Sequence, residues 1–314
     1  MHHKPIGTIQ VDLDGLWTNL QYYGHSSELY PDTIFESSIP AFLELFEKYD
    51  IKATFFLVGK DALISEKVVL VKEIIKAGHE IANHTYSHTF GFRKLSSAEK
   101  GEEIKKGEEI IDKITGKKPV GFKAPGYDVD VETLQLLALR GYRYDSSIIA
   151  TPFYPAIMSL NRLLSGGIKR THGPKWSWGL APNYPYFPSP QKEWRKARST
   201  LHSASTLLEL PCSVMPLARM PFHTTFVMKF GLSYFKTAHT LYKKTHHPLN
   251  YEFHAADLSA DFHDSRLPHL NSFTAERRAH ICENIIKTIS RDYSIMTSQD
   301  LIKKLDEKKN QEKD

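Results

Sequence analysis

The sequence predicts an α/β fold on a parallel sheet, open or closed into a barrel. Three observations carry this. Strand-like and helix-like segments alternate through the first 150 residues, and the alternation returns after residue 251. The chain has 314 residues, 41% hydrophobic and 25% charged, which suits a domain with a sizeable core. That composition excludes a disordered chain, a collagen-like chain and a disulfide-rich miniprotein. The net charge of +5 does not by itself imply nucleic-acid binding.

The elements follow in order. Ile6 to Asp12 reads as a buried strand. Ile39, Phe42, Leu43, Phe46 and Tyr49 share one helical face. Ala53 to Val58 is a second apolar strand. Val68, Val71, Ile74 and Ile75 mark a helix that stops at Gly78. His79 to Asn83 is a short strand. Ser96 and Glu99 form a capping box for a long charged helix ending near Gly116. Pro119 to Lys123 is a strand, Val131 to Arg140 a helix closed by Gly141, and Tyr142 to Asp145 another strand. Tyr251 to His254, Ala275 to Ile289 and Tyr293 to Met296 repeat the pattern. Thr297 and Asp300 cap a last helix, and the polar run from Lys303 to Asp314 is expected to fray.

The frame is one domain over 1–305, with 306–314 as a polar tail. Residues 151–250 differ from the rest. They hold 13 Lys/Arg against two acids, Glu193 and Glu209, a net +11. They also hold 11 of the 17 prolines and three of the four tryptophans, Trp176, Trp178 and Trp194. This segment reads as an inserted aromatic and basic region over the active-site mouth, with a strand near Leu207 to Leu210.

The start of the chain runs straight into a strand with no apolar leader, so no signal peptide is read. No uncharged apolar run approaches the roughly 20 residues that span a bilayer. Cys212 and Cys282 have no metal-type spacing and read as two buried free thiols in a reducing compartment. These features point to a cytoplasmic protein.

Two groups stand out at strand ends: Asp12 and Asp14 in Val-Asp-Leu-Asp-Gly, and His84 and His88 in His-Thr-Tyr-Ser-His. Each has a plain reading. With 16 histidines, about one His-x-x-x-His pair is expected by chance. Asp-x-Asp is also a common turn or cap. Their joint placement at successive strand ends favours chemistry. Two histidines and one carboxylate form a three-ligand site that leaves room for water and substrate. Zinc suits such ligands, and cobalt, nickel or iron also fit. One carboxylate ligates, and the other stays free as a general base.

On these residues the sequence resembles the polysaccharide deacetylases, the NodB-homology or carbohydrate esterase family 4 enzymes. The motifs come in order: Asp12-Leu13-Asp14-Gly15, His84 to His88, Phe122-Lys123-Ala124-Pro125-Gly126-Tyr127, Tyr144-Asp145-Ser146-Ser147, and Phe253-His254. The resemblance covers 6–148 and about 251–305. It implies a distorted (β/α)7-8 barrel with 151–250 as a large inserted loop region. It implies Asp14, His84 and His88 as ligands of one divalent metal, most simply Zn2+, with Co2+, Ni2+ or Fe2+ as alternatives. It also implies Asp12 as general base and His254 as general acid. Backbone N–H groups near Gly126 and Tyr127 would hold the oxyanion. Asp145 would orient the catalytic histidine, with Asp257 as its rival.

Two departures stand out. The family often has adjacent aspartates, and this chain has Asp-x-Asp, a spacing of cytosolic-type members. Lys123 stands where an arginine usually braces the base, and it lacks the bidentate fork. His223, in the cationic region, is read as a substrate-cleft residue. His2, His3, His25, His202, His239, His246, His247, His263 and His280 read as surface or capping residues.

The expected function is metal-dependent removal of an N-acyl group, most simply acetyl, from an amino sugar. The +11 segment suits a ligand with an anionic head and an apolar body, so a lipid- or phosphate-linked sugar at the inner membrane face is expected. Peripheral contact with an anionic membrane surface would follow. Alternatives are a deformylase or ureide-type C–N hydrolase on the same scaffold, or a catalytically idle carbohydrate-binding protein. No nucleic-acid motif accompanies the basic excess.

Overall fold

The computed structural model describes residues 4–156, 173–197, 207–261, 264–267 and 272–311. The elements in chain order are β1 (Ile6–Asp12), α1 (Leu16–Tyr22), α2 (Thr33–Lys48), β2 (Thr54–Leu57), α3 (Ser65–Lys76), β3 (Glu80–Asn83), α4 (Ser97–Thr115), β4 (Gly121–Phe122), α5 (Val131–Leu139) and β5 (Tyr144–Asp145). They continue with β6 (Pro188–Ser189), β7 (Lys192–Lys196), β8 (Leu208–Glu209), α6 (Thr224–Lys243), β9 (Leu249–His254), α7 (Ala275–Asp292), β10 (Ser294–Ile295) and α8 (Ser298–Gln311).

Eight strands form one parallel sheet that curls into an incomplete barrel with helices outside. β1 is central. It pairs with β9 from Gly7↔Leu249 to Asp12↔His254 and with β2 from Gln10↔Thr54 to Asp12↔Phe56. β10 joins the start of β1, and β3, β4, β5 and β8 continue from β2. The far ends meet where Ser213 N donates to Asn250 O at 3.0 Å.

Strand alternation decides what faces where. Ile9 and Val11 of β1, with Leu13 just beyond it, join Phe55, Leu57, Tyr251 and Phe253 in the core beneath the helices. Phe42 of α2 meets Phe253 and Phe55 at ring spacings of 5.7 and 6.4 Å. The intervening residues Thr8, Gln10 and Asp12 face inward and are buried. Ser298, at the first turn of α8, sits within 3.1 Å of Thr8 Oγ1, Gln10 Nε2 and Thr54 Oγ1. Leu301 and Ile302 pack beside Ile6, Phe56 and Tyr144, so α8 plugs one barrel end.

Several expectations change. α2 begins six residues before Ile39, because Asp32 caps it by accepting from Phe35 N at 2.9 Å. α1 was not anticipated. α8 runs to Gln311, and Arg143 pairs with Asp306 at 2.8 Å, so the chain is helical where fraying from Lys303 was expected. The middle third supplies sheet strand β8 and the helical segment α6, which is kinked at Gly231 (φ 84°) and packs on α7 and β9. The capping box at Ser96 and Glu99 is present. Cys212 and Cys282 are buried free thiols. Among the described residues, no helix is long and apolar enough to cross a membrane.

Candidate active site

The strand ends of the sheet gather the candidate residues. Asp12 and Asp14 lie two apart on a chain that stays extended through Leu13, whose N–H donates to Phe56 O at 3.1 Å. Both therefore reach the same side. His84 leaves the end of β3, and its Nδ1 bonds Lys123 O at 2.8 Å, which aims Nε2 at Asp14. His88 follows in a tight turn in which Thr85 (φ 64°) and His88 (φ 51°) are both left-handed, a strained state for these residues. Glu103 of α4 pins that turn, accepting from Ser87 N and Ser87 Oγ at 2.8 Å each.

Asp14 Oδ1 lies 3.5 Å from His84 Nε2 and 3.1 Å from His88 Nε2. Among the described residues, Asp14 Oδ1 and both nitrogens of His88 are buried without a hydrogen-bond partner. One ligand atom from each residue lies within 4.8 Å of the others. Orphaned buried donors on a two-histidine, one-carboxylate set fit a divalent cation. Burial works against ionised Asp14, but His88 and His84 hold it well below the usual carboxylate range.

A second cluster abuts the first. Lys123 Nζ donates to Asp12 Oδ1 and to Glu252 Oε2, both at 2.8 Å. The ammonium also lies 4.5 Å from the centre of the Phe56 ring. Burial leaves Asp12 raised above its ordinary value, against the pull of Lys123. Glu252 is held at about 2, its burial outweighed by Lys123 and then His254. The Tyr127 hydroxyl donates to Glu252 Oε1, and His254 Nε2 lies 3.7 Å from the same oxygen. Burial alone would lower His254, but Glu252 first and then Asp12 raise it, favouring its protonated form.

Glu252 is absent from the sequence expectations. The alternation of β9 carried the signal, since Asn250, Glu252 and His254 share one face. Among the described residues, neither rival carboxylate bonds the His254 ring. Asp145 accepts from Ser147 Oγ at 2.6 Å and lies beside Glu209 instead. Burial first and Asp145 second push Glu209 well above the carboxylate range, so this pair retains a proton. Ser147 Oγ in turn accepts from Ala124 N at 2.8 Å, so Asp145 braces the loop after β4. Asp257 accepts the backbone N–H of His254 at 2.8 Å.

In that loop Gly126 (φ 61°) and Tyr127 (φ 57°) are both left-handed. The Tyr127 amide, one of the expected oxyanion donors, closes a turn on Ala124 O at 3.1 Å, and its hydroxyl is what reaches the site. His223 lies beside the cluster, its ring centre 6.2 Å from that of His254. His239, expected at the surface, is 3% exposed and bonds Asp292 at 2.9 Å, because it lies on the face of α6 that packs on α7. His2, His3, His202 and His263 lie outside the described residues.

The parallel half-barrel thus carries a carboxylate–histidine cluster at its strand ends. Residues 28–144 match the family model described as polysaccharide deacetylase, a span that includes His84, His88 and Lys123. Over that span the chain is similar to the polysaccharide deacetylases. It is 36% identical over 154 residues to the peptidoglycan deacetylase of Helicobacter pylori, covering 46% of this chain and 50% of that one. The chain thus spans about half the length of that curated relative, and less of others. A solved structure from Mycobacterium smegmatis, assigned to the polysaccharide deacetylases, matches 98% of this chain and 92% of its own. Its TM-score is 0.60 at 15% identity. Puue allantoinase matches 96% of this chain and 90% of its own, with a TM-score of 0.59 at 14% identity. These two likenesses concern the fold.

Proposed function

We propose that the protein is a metal-dependent hydrolase that removes an N-acetyl group from an amino sugar. The observation that carries this reading is the junction of two clusters, Asp14–His84–His88 and Asp12–Lys123–Glu252–His254. The deacetylase named among the relatives supports the substrate class.

Asp14, His84 and His88 would hold the cation. A divalent ion bound there, zinc by the chemistry of the donors, supplies Lewis acidity toward water and the acyl oxygen. Asp12 takes the proton of the attacking water, and Lys123 keeps its carboxylate ionised and aimed. His254, favoured in its protonated form, gives a proton to the leaving amine. Glu252 holds that imidazolium and, through Lys123, ties acid and base into one unit. Gly126 and Tyr127 shape the wall beside the acyl group.

The test is elemental analysis and amine release from N-acetylglucosamine oligomers. About one zinc-like ion per chain in the wild type and none in His84→Ala is expected. Wild-type protein that takes up neither zinc nor cobalt sinks the reading.

Residues 151–250 are proposed as the recognition region of the single domain 1–305, for a lipid- or phosphate-linked substrate on the cytosolic side. Both acids of the segment are buried, Glu193 at 4% and Glu209 at 0% exposure. Lys192, Arg195, Lys196, Lys229, Lys236 and Lys244 are exposed. Such a surface favours anionic headgroups. Flotation with anionic vesicles at low salt tests this, and failure to float removes the membrane contact.

A further inference from the structure

His223 is 2% exposed, and among the described residues neither ring nitrogen has a hydrogen-bond partner. It occupies the N-cap of α6, where a side chain normally accepts a backbone N–H, yet it makes no cap bond. Its ring leans on Phe226 at 5.1 Å and faces His254 at 6.2 Å. The position is fixed, because Thr224 Oγ1 donates to Glu252 O at 3.1 Å and locks the start of α6 to β9. Burial first lowers the imidazole to about 4, against the pull of Glu252, so the ring is neutral at pH 7. A neutral imidazole offers one donor and one acceptor. Leaving both unmet inside a protein is costly, so the pair implies a polar group that fills the gap.

We propose that His223 determines specificity by reading a substrate hydroxyl on the carbon next to the one that bears the amide. This deepens the deacetylase reading and rests on it. A hydroxyl both donates and accepts, which matches the two free nitrogens. A phosphate only accepts, and the ionised Glu252 beside the ring repels it. An apolar group leaves both nitrogens unmet. The hydroxyl is adjacent because His254 serves the leaving nitrogen and the His223 ring lies 6.2 Å from the His254 ring. The site thereby separates an amino sugar from a simple amide or a ureide, and any anionic carrier binds elsewhere.

The test uses zinc-loaded full chain as wild type, His223→Phe and His223→Gln. Glucosamine and 3-deoxyglucosamine are the probes, with binding measured by calorimetry. Hydrolysis of the two N-acetyl sugars is followed alongside, and zinc content and melting temperature confirm an intact site. His223→Phe is expected to weaken glucosamine roughly tenfold to a hundredfold and to leave 3-deoxyglucosamine within about twofold. His223→Gln, which keeps a donor and an acceptor, is expected to recover most of the loss. Equal effects on the two sugars, or no effect on either, overturn the role of His223. His223-dependent discrimination without hydrolysis by the wild type overturns the deacetylase reading alone. Wild type that binds neither sugar overturns both.

Discussion

Glu252 and Lys123 meet at 2.8 Å with 1% exposure each, and the same ammonium reaches Asp12 at 2.8 Å. One buried cation thus serves two buried carboxylates. Removing one partner of such a set leaves uncompensated charge. Lys123→Met is expected to lose about 3–5 kcal/mol of stability in urea unfolding. Adding Glu252→Gln should return part of that loss. A single variant as stable as the wild type contradicts the assignment.

Base and ligands separate by metal content. Asp12→Asn keeps Asp14, His84 and His88, so metal should stay near wild-type level while turnover falls by about 10²–10⁴. His88→Ala removes a ligand and should lose metal and turnover together. Full activity in Asp12→Asn shows that another group is the base.

Gly15 has no room for a side chain, because a Cβ there would overlap Asp32 Oδ2. Asp32 is not free to move. It accepts from Leu16 N and Phe35 N at 2.9 Å and from Lys67 at 2.7 Å. Gly15→Ala is expected to cost about 1–3 kcal/mol and to weaken metal binding through the neighbouring Asp14. Thermal melts and cobalt titration check both effects. Unchanged cobalt affinity uncouples this loop from the metal site.

His79 sets a pH dependence of stability. Its Nδ1 accepts from Ala53 N at 3.0 Å, which requires a neutral ring. Burial first and Lys52 second lower it from 6.5 to about 4. Between those values the unfolded chain binds more protons than the folded one, so stability present above pH 6.5 drains away toward pH 4. The loss is at most about 3 kcal/mol. His79→Gln should flatten this part of the curve in urea melts from pH 7 to 4.5. A parallel curve for the variant shows that other groups carry the slope.

Much of this was legible in the chain. Alternation in β1 and helical spacing in α3, α4 and α7 are local, and so is the capping box of α4. The cluster of Asp14, His84 and His88 was readable because each follows a strand end. Glu252 was readable too, two residues from His254, but its value depends on Lys123 across the barrel. Asp145 was misjudged because its partner Glu209 lies 64 positions away and only strand pairing brings them together. His239 was misjudged for the same reason, since Asp292 belongs to another helix. α1 spans only seven residues and is held by tertiary contacts such as Trp17 to Asp61 at 2.7 Å, which no short window reveals.

The placement of Ser298 against Thr8, Gln10 and Thr54 bears on how the molecule is made. β1 leaves the ribosome about 240 residues before its neighbour β9, and the hydroxyl that seals its inner face follows later still. Contacts so distant in sequence slow folding. The polar lining of the nascent barrel therefore waits, unsatisfied, through most of translation. Until β9 clears the exit tunnel, β1 keeps an exposed edge that other chains can pair with. Chaperone dependence during synthesis, rather than low final stability, is the expected bottleneck in producing this protein.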